Sequence, residues 1–347
     1  MRVLVVDDSA LIRMALSEIL SKAGFEVVSA KNGKEAVEKV LTLNPNVVTL
    51  DINMPVMDGL TALKLIMEKK PTPVVMLSSL TREGAKETID ALKLGAVDFI
   101  TKPSGVVPDL DSIREEIVSK VKTAADSNIN ALRLQNLKKI KLGVVKGNWK
   151  KNKNVCILIG SSTGGPSALE MIIPRLPEDI PAPVFVVQHM PVGFTKQLAD
   201  RLASISEVEV KEAEDNERVK EGIVYIAPGG YHMKLKKIAE NIVRIKIVDE
   251  KPVNAVKPSV DVTAESIAEV YRGNCVAAIL TGMGCDGAKG FKKIRELGGL
   301  TIASSEDTCV VFGMPRAAIE IGAIVSVKPV FEIAEEIVRF LEVKLNE

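Results

Sequence analysis

Five times in its first 123 residues the chain sets a short β-branched run before a longer helical stretch, and that alternation constrains the fold more than any other feature. The runs are RVLVV (2–6), EVVSA (26–30), NVVTL (46–50), PVVML (73–77) and VDFIT (97–101). Between them, Leu11, Ala15 and Ile19 share one helical face and end at Gly24, a residue suited to a helix stop. Ala36, Val37, Val40 and Leu41 form a second such face. Five strands with helices between and after them read as a doubly wound parallel sheet.

The alternation restarts near residue 155. VCILIG (155–160), PVFVVQH (183–189), CVAAILTG (275–282) and LTIAS (300–304) read as strands. Residues 166–174, 286–299 and 330–344 read as helices, the first opened by Pro166, a favoured first helical residue. Several short β-like segments fill 208–247, with turns at Pro228, Gly229 and Gly230. Between the two halves, residues 133–153 carry eight Lys or Arg and no acid, the composition of a solvated tether. The expected organisation is therefore 1–123, a basic linker over 124–153, and 154–347. A chain of 347 residues is of ordinary size for two domains.

Bulk properties exclude several classes. Net charge is +1, so no overall field draws the chain to nucleic acid or anionic lipid. One Trp and three Tyr make a poor base-stacking platform. No apolar run has the length of a membrane span, and MRVLVVDD ends in two acids, unlike a signal peptide. Cys156, Cys275, Cys285 and Cys309 form no CxxC pair. A reducing, cytoplasmic setting is expected, with no nucleic-acid partner and no membrane insertion.

In an open parallel sheet, ligands gather at the carboxyl ends of the strands. Asp7 and Asp8 follow the first strand, Asp51 the third, Ser78 and Ser79 the fourth, and Lys102 the fifth. Three carboxylates together repel and call for a cation, and oxygen ligands suit Mg²⁺. A carboxylate flanked by such a cation and a Lys can attack a phosphoryl group. VLVVDDS, LDINMPVMDG and FITKP resemble the receiver domain of two-component response regulators. The resemblance implies that Asp51 accepts a phosphoryl group from a histidine kinase and that Asp7, Asp8 and Asp51 hold Mg²⁺. It further implies that Lys102 contacts the phosphate, that Ser78 is the hydroxyl switch, and that Phe99 is an aromatic that reorients.

The second half holds a different constellation. Gly160-Ser161-Ser162-Thr163-Gly164 fits G-x-S-x-G between a strand and a helix, the setting of a nucleophilic serine. A phosphate-binding loop is disfavoured, since the stretch lacks both G-x-G-x-x-G and G-x-x-x-x-G-K-[ST]. A serine hydroxyl needs a base, and the chain has two histidines, His189 and His232. His189 ends the second strand of this half, at the same edge as Ser162; His232 lies in the added β region and is less well placed. Asp286, after the strand 275–281, could orient the imidazole, or cap the helix that follows it. Cys285 is a rival nucleophile, without a strand-turn-helix setting.

IGSSTGG, QHMP and TGMGCDG behind a receiver are similar to the chemotaxis protein-glutamate methylesterases. The resemblance implies Ser162 as nucleophile, His189 as general acid/base and Asp286 as orienter. Met283 is implied at the oxyanion hole, with Thr163 beside the nucleophile. The implied substrates are methylated glutamates, and possible substrates include glutamines, on the cytoplasmic helices of chemoreceptors, with no cofactor at this site. The implied fold is α/β, a flavodoxin-like receiver followed by a Rossmann-like parallel-sheet esterase domain with a small antiparallel addition. Phosphorylation is expected to relieve a receiver that covers the esterase cleft. An output that binds DNA or a protein partner is the alternative, but residues 155–347 are α/β and too long for a DNA-binding module.

Overall fold

The computed structural model describes residues 1–103, 109–132, 134, 143–149, 154–240 and 242–347. Most of the basic stretch 133–153 lies outside them. The chain forms two compact units, Met1–Arg133 and Leu134–Glu347.

In the first unit the strands are β1 (Arg2–Val6), β2 (Glu26–Ala30), β3 (Val47–Asp51), β4 (Val74–Ser78) and β5 (Asp98–Thr101). They pair in parallel in the order β2-β1-β3-β4-β5, the flavodoxin-like arrangement. β3 and β4 are buried along their whole length, which is why they read as unbroken apolar runs rather than alternating ones. Helix starts are fixed by side-chain caps. Ser9, Asn32, Asp58 and Thr81 accept from the backbone of Ile12, Glu35, Thr61 and Gly84, each cap contributing about 1 kcal/mol. The helix Arg114–Ala125 of this unit runs past the expected boundary at 123.

The second unit is built on β6 (Cys156–Ser161), β7 (Val184–Gln188), β8 (Glu209–Glu212), β9 (Ile223–Ile226), β10 (His232–Ala239), β11 (Ile242–Val248), β12 (Cys275–Ile279), β13 (Leu300–Ser304) and β14 (Ser326–Lys328). Seven of these form one sheet, β14-β13-β12-β6-β7-β9-β8, parallel at every pairing. Only β10 and β11 make the antiparallel addition; β8 and β9, in the same β-rich region, join the main sheet. From β6 the chain steps to β7 on one side and later to β12 on the other. In open sheets of this kind, ligands enter at such a reversal, here the carboxyl end of β6.

Helices Phe194–Ala203, Val260–Val270 and Met314–Glu320 complete the second unit, none of them anticipated from the sequence. The helix expected over 286–299 starts at Ala288. The last helix, expected over 330–344, is Ile333–Asn346, behind a 3₁₀ turn at Val330–Glu332. Among the described residues no helix is long and apolar enough to cross a membrane.

Candidate active site

In the first unit, Asp7 follows β1, Asp51 ends β3, and Lys102 follows β5. The Lys102 ammonium donates to Asp7 Oδ2 at 2.8 Å and to Asp51 Oδ1 at 2.7 Å. Asp7, Asp8 and Asp51 each offer an oxygen within 4.8 Å of the others, a donor set that fits a small hard cation. Burial pushes the Asp51 carboxyl up to about 6; Lys102 opposes this and the charge of Asp7 adds to it. Burial disfavours the Lys102 ammonium, but Asp51 and Asp7 outweigh burial and raise it above its ordinary value. Gly59 packs so closely on β3 that a Cβ there would lie 2.0 Å from the Asp51 carbonyl oxygen.

Ser78, at the end of β4, is buried. Its hydroxyl donates to the Gly84 carbonyl at 3.1 Å and accepts from Thr88 Oγ1 at 2.6 Å, both on the helix Arg82–Leu94. Phe99 lies buried on β5, with the Lys120 ammonium 5.1 Å from its ring centre.

In the second unit, β6 ends at Ser161 and β7 at Gln188, and these two residues pair. Ser162 and His189 are the next residues on two parallel strands, and the His189 N–H donates to the Ser161 carbonyl at 3.1 Å. Neighbouring strands stand about 4.8 Å apart, so these two residues leave the sheet at adjacent strand ends. Gln188 fastens this edge. Its Oε1 accepts from the buried Ser161 hydroxyl at 2.6 Å. Its Nε2 donates to the carbonyls of Ser162 and His189 at 3.0 and 3.1 Å. Ser162 keeps an ordinary backbone; the left-handed residue of the turn is Gly164, at φ 76°. Gly160 serves a close approach instead, since a Cβ there would lie 2.7 Å from Val260 Cγ1.

Asp286 follows β12 and is 3% exposed. Its Oδ2 lies 2.8 Å from His189 Nε2 and accepts from the Val260 N–H at 2.6 Å. Its Oδ1 accepts from Ser259 Oγ at 2.7 Å and Asn254 Nδ2 at 2.8 Å. Gly287, at φ 91°, caps the helix that follows Asp286. Asp286 sits instead at the start of a different helix, Val260–Val270, where the helix dipole favours a negative charge. Burial pushes its carboxyl up, but the bond to His189, the His189 charge, Ser259 and Asn254 together bring it below the usual carboxylate value.

His232 is fully buried; its Nδ1 accepts from the Ser259 N–H at 3.1 Å and its Nε2 lies 3.0 Å from the Lys251 carbonyl. It props Ser259 and does not meet Ser162's strand end. Met283 and Cys285 are exposed on the loop between β12 and Asp286. Thr163 is buried, and Thr281 donates to its carbonyl at 2.9 Å. Gln188, Asn254, Ser259 and Asp261 were not singled out from the sequence. Of these only Gln188, beside His189 at a strand end, carried a positional signal.

Residues 157–337 match the family model described as CheB methylesterase, and residues 3–114 match the response regulator receiver domain. Two whole-length relatives carry the name protein-glutamate methylesterase/protein-glutamine glutaminase. The one from Archaeoglobus fulgidus is 76% identical, covering 100% of both chains. The one from Thermotoga maritima is 49% identical, covering 98% of both. The solved catalytic domain of Thermotoga maritima CheB methylesterase superposes with a TM-score of 0.53 at 50% identity, covering 54% of this chain and 99% of that one. The chain belongs to the CheB methylesterase family, as hydrolases of that family joined to a response regulator receiver domain.

Proposed function

We propose that the second unit hydrolyses γ-glutamyl methyl esters on the cytoplasmic helices of chemoreceptors, and deamidates receptor glutamines by the same chemistry. The reading is supported most by one observation: the His189 ring, at the strand end next to Ser162's, is held by Asp286 at 2.8 Å. With Nε2 turned to Asp286, Nδ1 is the ring nitrogen left to take a proton from Ser162. Ser162 Oγ attacks the ester carbonyl, and His189 takes its proton and returns it to the departing methoxide as methanol. Water, deprotonated by the same imidazole, then attacks the acyl-enzyme and leaves a free glutamate side chain. Asp286 steadies the imidazolium in both halves. The Met283 N–H and the Thr163 turn serve the developing oxyanion. No cofactor is called for at this site.

The first unit regulates the second. Asp51 accepts a phosphoryl group from a histidine kinase, Lys102 holds the phosphate, and Ser78 and Phe99 relay the change. Asp7, Asp8 and Asp51 would hold Mg²⁺, which when bound supplies positive charge to the phosphoryl oxygens. The substrate and donor place the work in the cytoplasm. Residues 1–123 act as receiver, 124–153 as connector and 154–347 as esterase.

Methanol release from a methylated receptor fragment tests the esterase. Ser162→Ala and His189→Ala should each lower the rate on the order of 10³-fold or more, while Cys285→Ala leaves it near normal. Loss with Cys285→Ala and survival of Ser162→Ala would reverse the assignment of the nucleophile.

A further inference from the structure

Asp286 does not stand alone in its cradle. Asp261, in the first turn of the helix Val260–Val270, is 4% exposed and buried beside it. Asn254 lies between them. Its Nδ2 donates to Asp286 Oδ1 at 2.8 Å and to Asp261 Oδ2 at 2.9 Å. Both amide hydrogens are thus used, one on each carboxylate. Asn254 sits in a tight turn closed by the two backbone bonds between Val253 and Val256, at 3.1 and 3.0 Å. Its φ of 52° is left-handed, a conformation that Asn accepts better than most residues.

Two buried carboxylates side by side favour uptake of a shared proton. A proton on Asp286 would remove the charge that steadies the His189 imidazolium. An ammonium between them would hold both acids but would also cancel that charge. A neutral amide holds both and cancels neither. Resting on the reading of Ser162, His189 and Asp286 as the reacting set, we propose that Asn254 is a positioning residue that keeps Asp286 ionised and aimed at His189 by bridging it to Asp261. The state of the pair agrees: burial and then the Asp286 charge push Asp261 above its ordinary value, while Asp286, better supplied with donors, lies below its own. The titratable groups facing Asp286 are His189 and Asp261, with His232 one step away through Ser259.

The test is the pH profile of kcat and kcat/KM for methanol release by the full chain acting on a methylated receptor fragment. Asn254→Gly accepts the left-handed backbone and deletes only the amide. It should lower kcat roughly tenfold to a hundredfold, leave KM within about twofold, and lower the acid-limb midpoint, because a His189 ring that has lost its partner's negative charge holds a proton less readily. Asn254→Gly combined with Asp261→Asn removes the like charge and should bring both kcat and the midpoint back toward the original. A kcat and midpoint unmoved in Asn254→Gly, or a double variant no closer to the original than the single one, overturns the proposal. Should Ser162→Ala and His189→Ala retain full activity, the underlying assignment fails instead.

Discussion

On the receiver, burial bears directly on the chemistry of Asp51. Its carboxyl is raised from 3.8 to about 6, first by burial. A group whose pKa is higher folded than unfolded favours the folded state in acid, and that contribution is lost as pH rises through its folded value. For the metal-free chain the receiver should therefore lose stability between about pH 4 and pH 7, by an amount on the order of 3 kcal/mol. Asp51→Asn should flatten the dependence and raise the receiver's melting temperature at pH 7.5. A variant that melts with the original pH dependence would show the carboxylate to be better solvated than its burial indicates. The part of the site that was legible in the sequence follows from residue chemistry. Asp7, Asp51 and Lys102, and likewise His189 and Asp286, fall at or after strand ends, and His189 is one of only two histidines. Asn254 and Asp261 were illegible because an amide in a loop and an acid in a helix's first turn are ordinary in those places. Only the folded chain shows that amide bridging Asp261 to Asp286.

At the level of elements, the strands announced themselves because a buried parallel strand must be apolar on both faces; β6, β7 and β12 are buried throughout. The helix Val260–Val270 did not, although it matters most to the site. Seven of its eleven residues are buried, but Asp261, Thr263 and Ser266 are among them, so its inner side does not read as the apolar stripe that marks a surface helix. It crosses the helix Ala288–Glu296 at Gly290, where a Cβ would lie 2.4 Å from Ala264 Cβ. The Gly290 N–H there donates to Asp261 Oδ1 at 2.8 Å. Gly290→Ala must drive the two helices apart. Overpacking of this kind costs about 1–3 kcal/mol, so calorimetry should show a lower melting temperature for the second unit, with reduced hydrolysis. An unchanged melting temperature would mean that the crossing relaxes freely. The β8 and β9 strands were harder to place, since short strands at the far side of a sheet carry no pattern that distinguishes parallel from antiparallel pairing.

For the whole molecule, two units with separate sheets should each fold on its own core. The second unit has its own core, around Phe185, Tyr225, Ile267 and Phe291. A fragment lacking residues 1–150 should therefore fold, and it should hydrolyse methyl esters faster than the unphosphorylated full chain. A small-molecule phosphoryl donor should raise the full chain's activity, while Asp51→Asn or chelation of divalent cations should abolish that increase and leave the fragment unaffected. A folded fragment no faster than the full chain would rule out restraint by the receiver. The central position of β6 has one more consequence. On the proposed assignment, the serine that follows it depends on a histidine from the strand beside it and, through that ring, on an aspartate delivered by the strand on its other flank, made much later in translation. A nascent or half-denatured chain therefore carries an inert alcohol. On that assignment hydrolytic power arrives only with the finished domain.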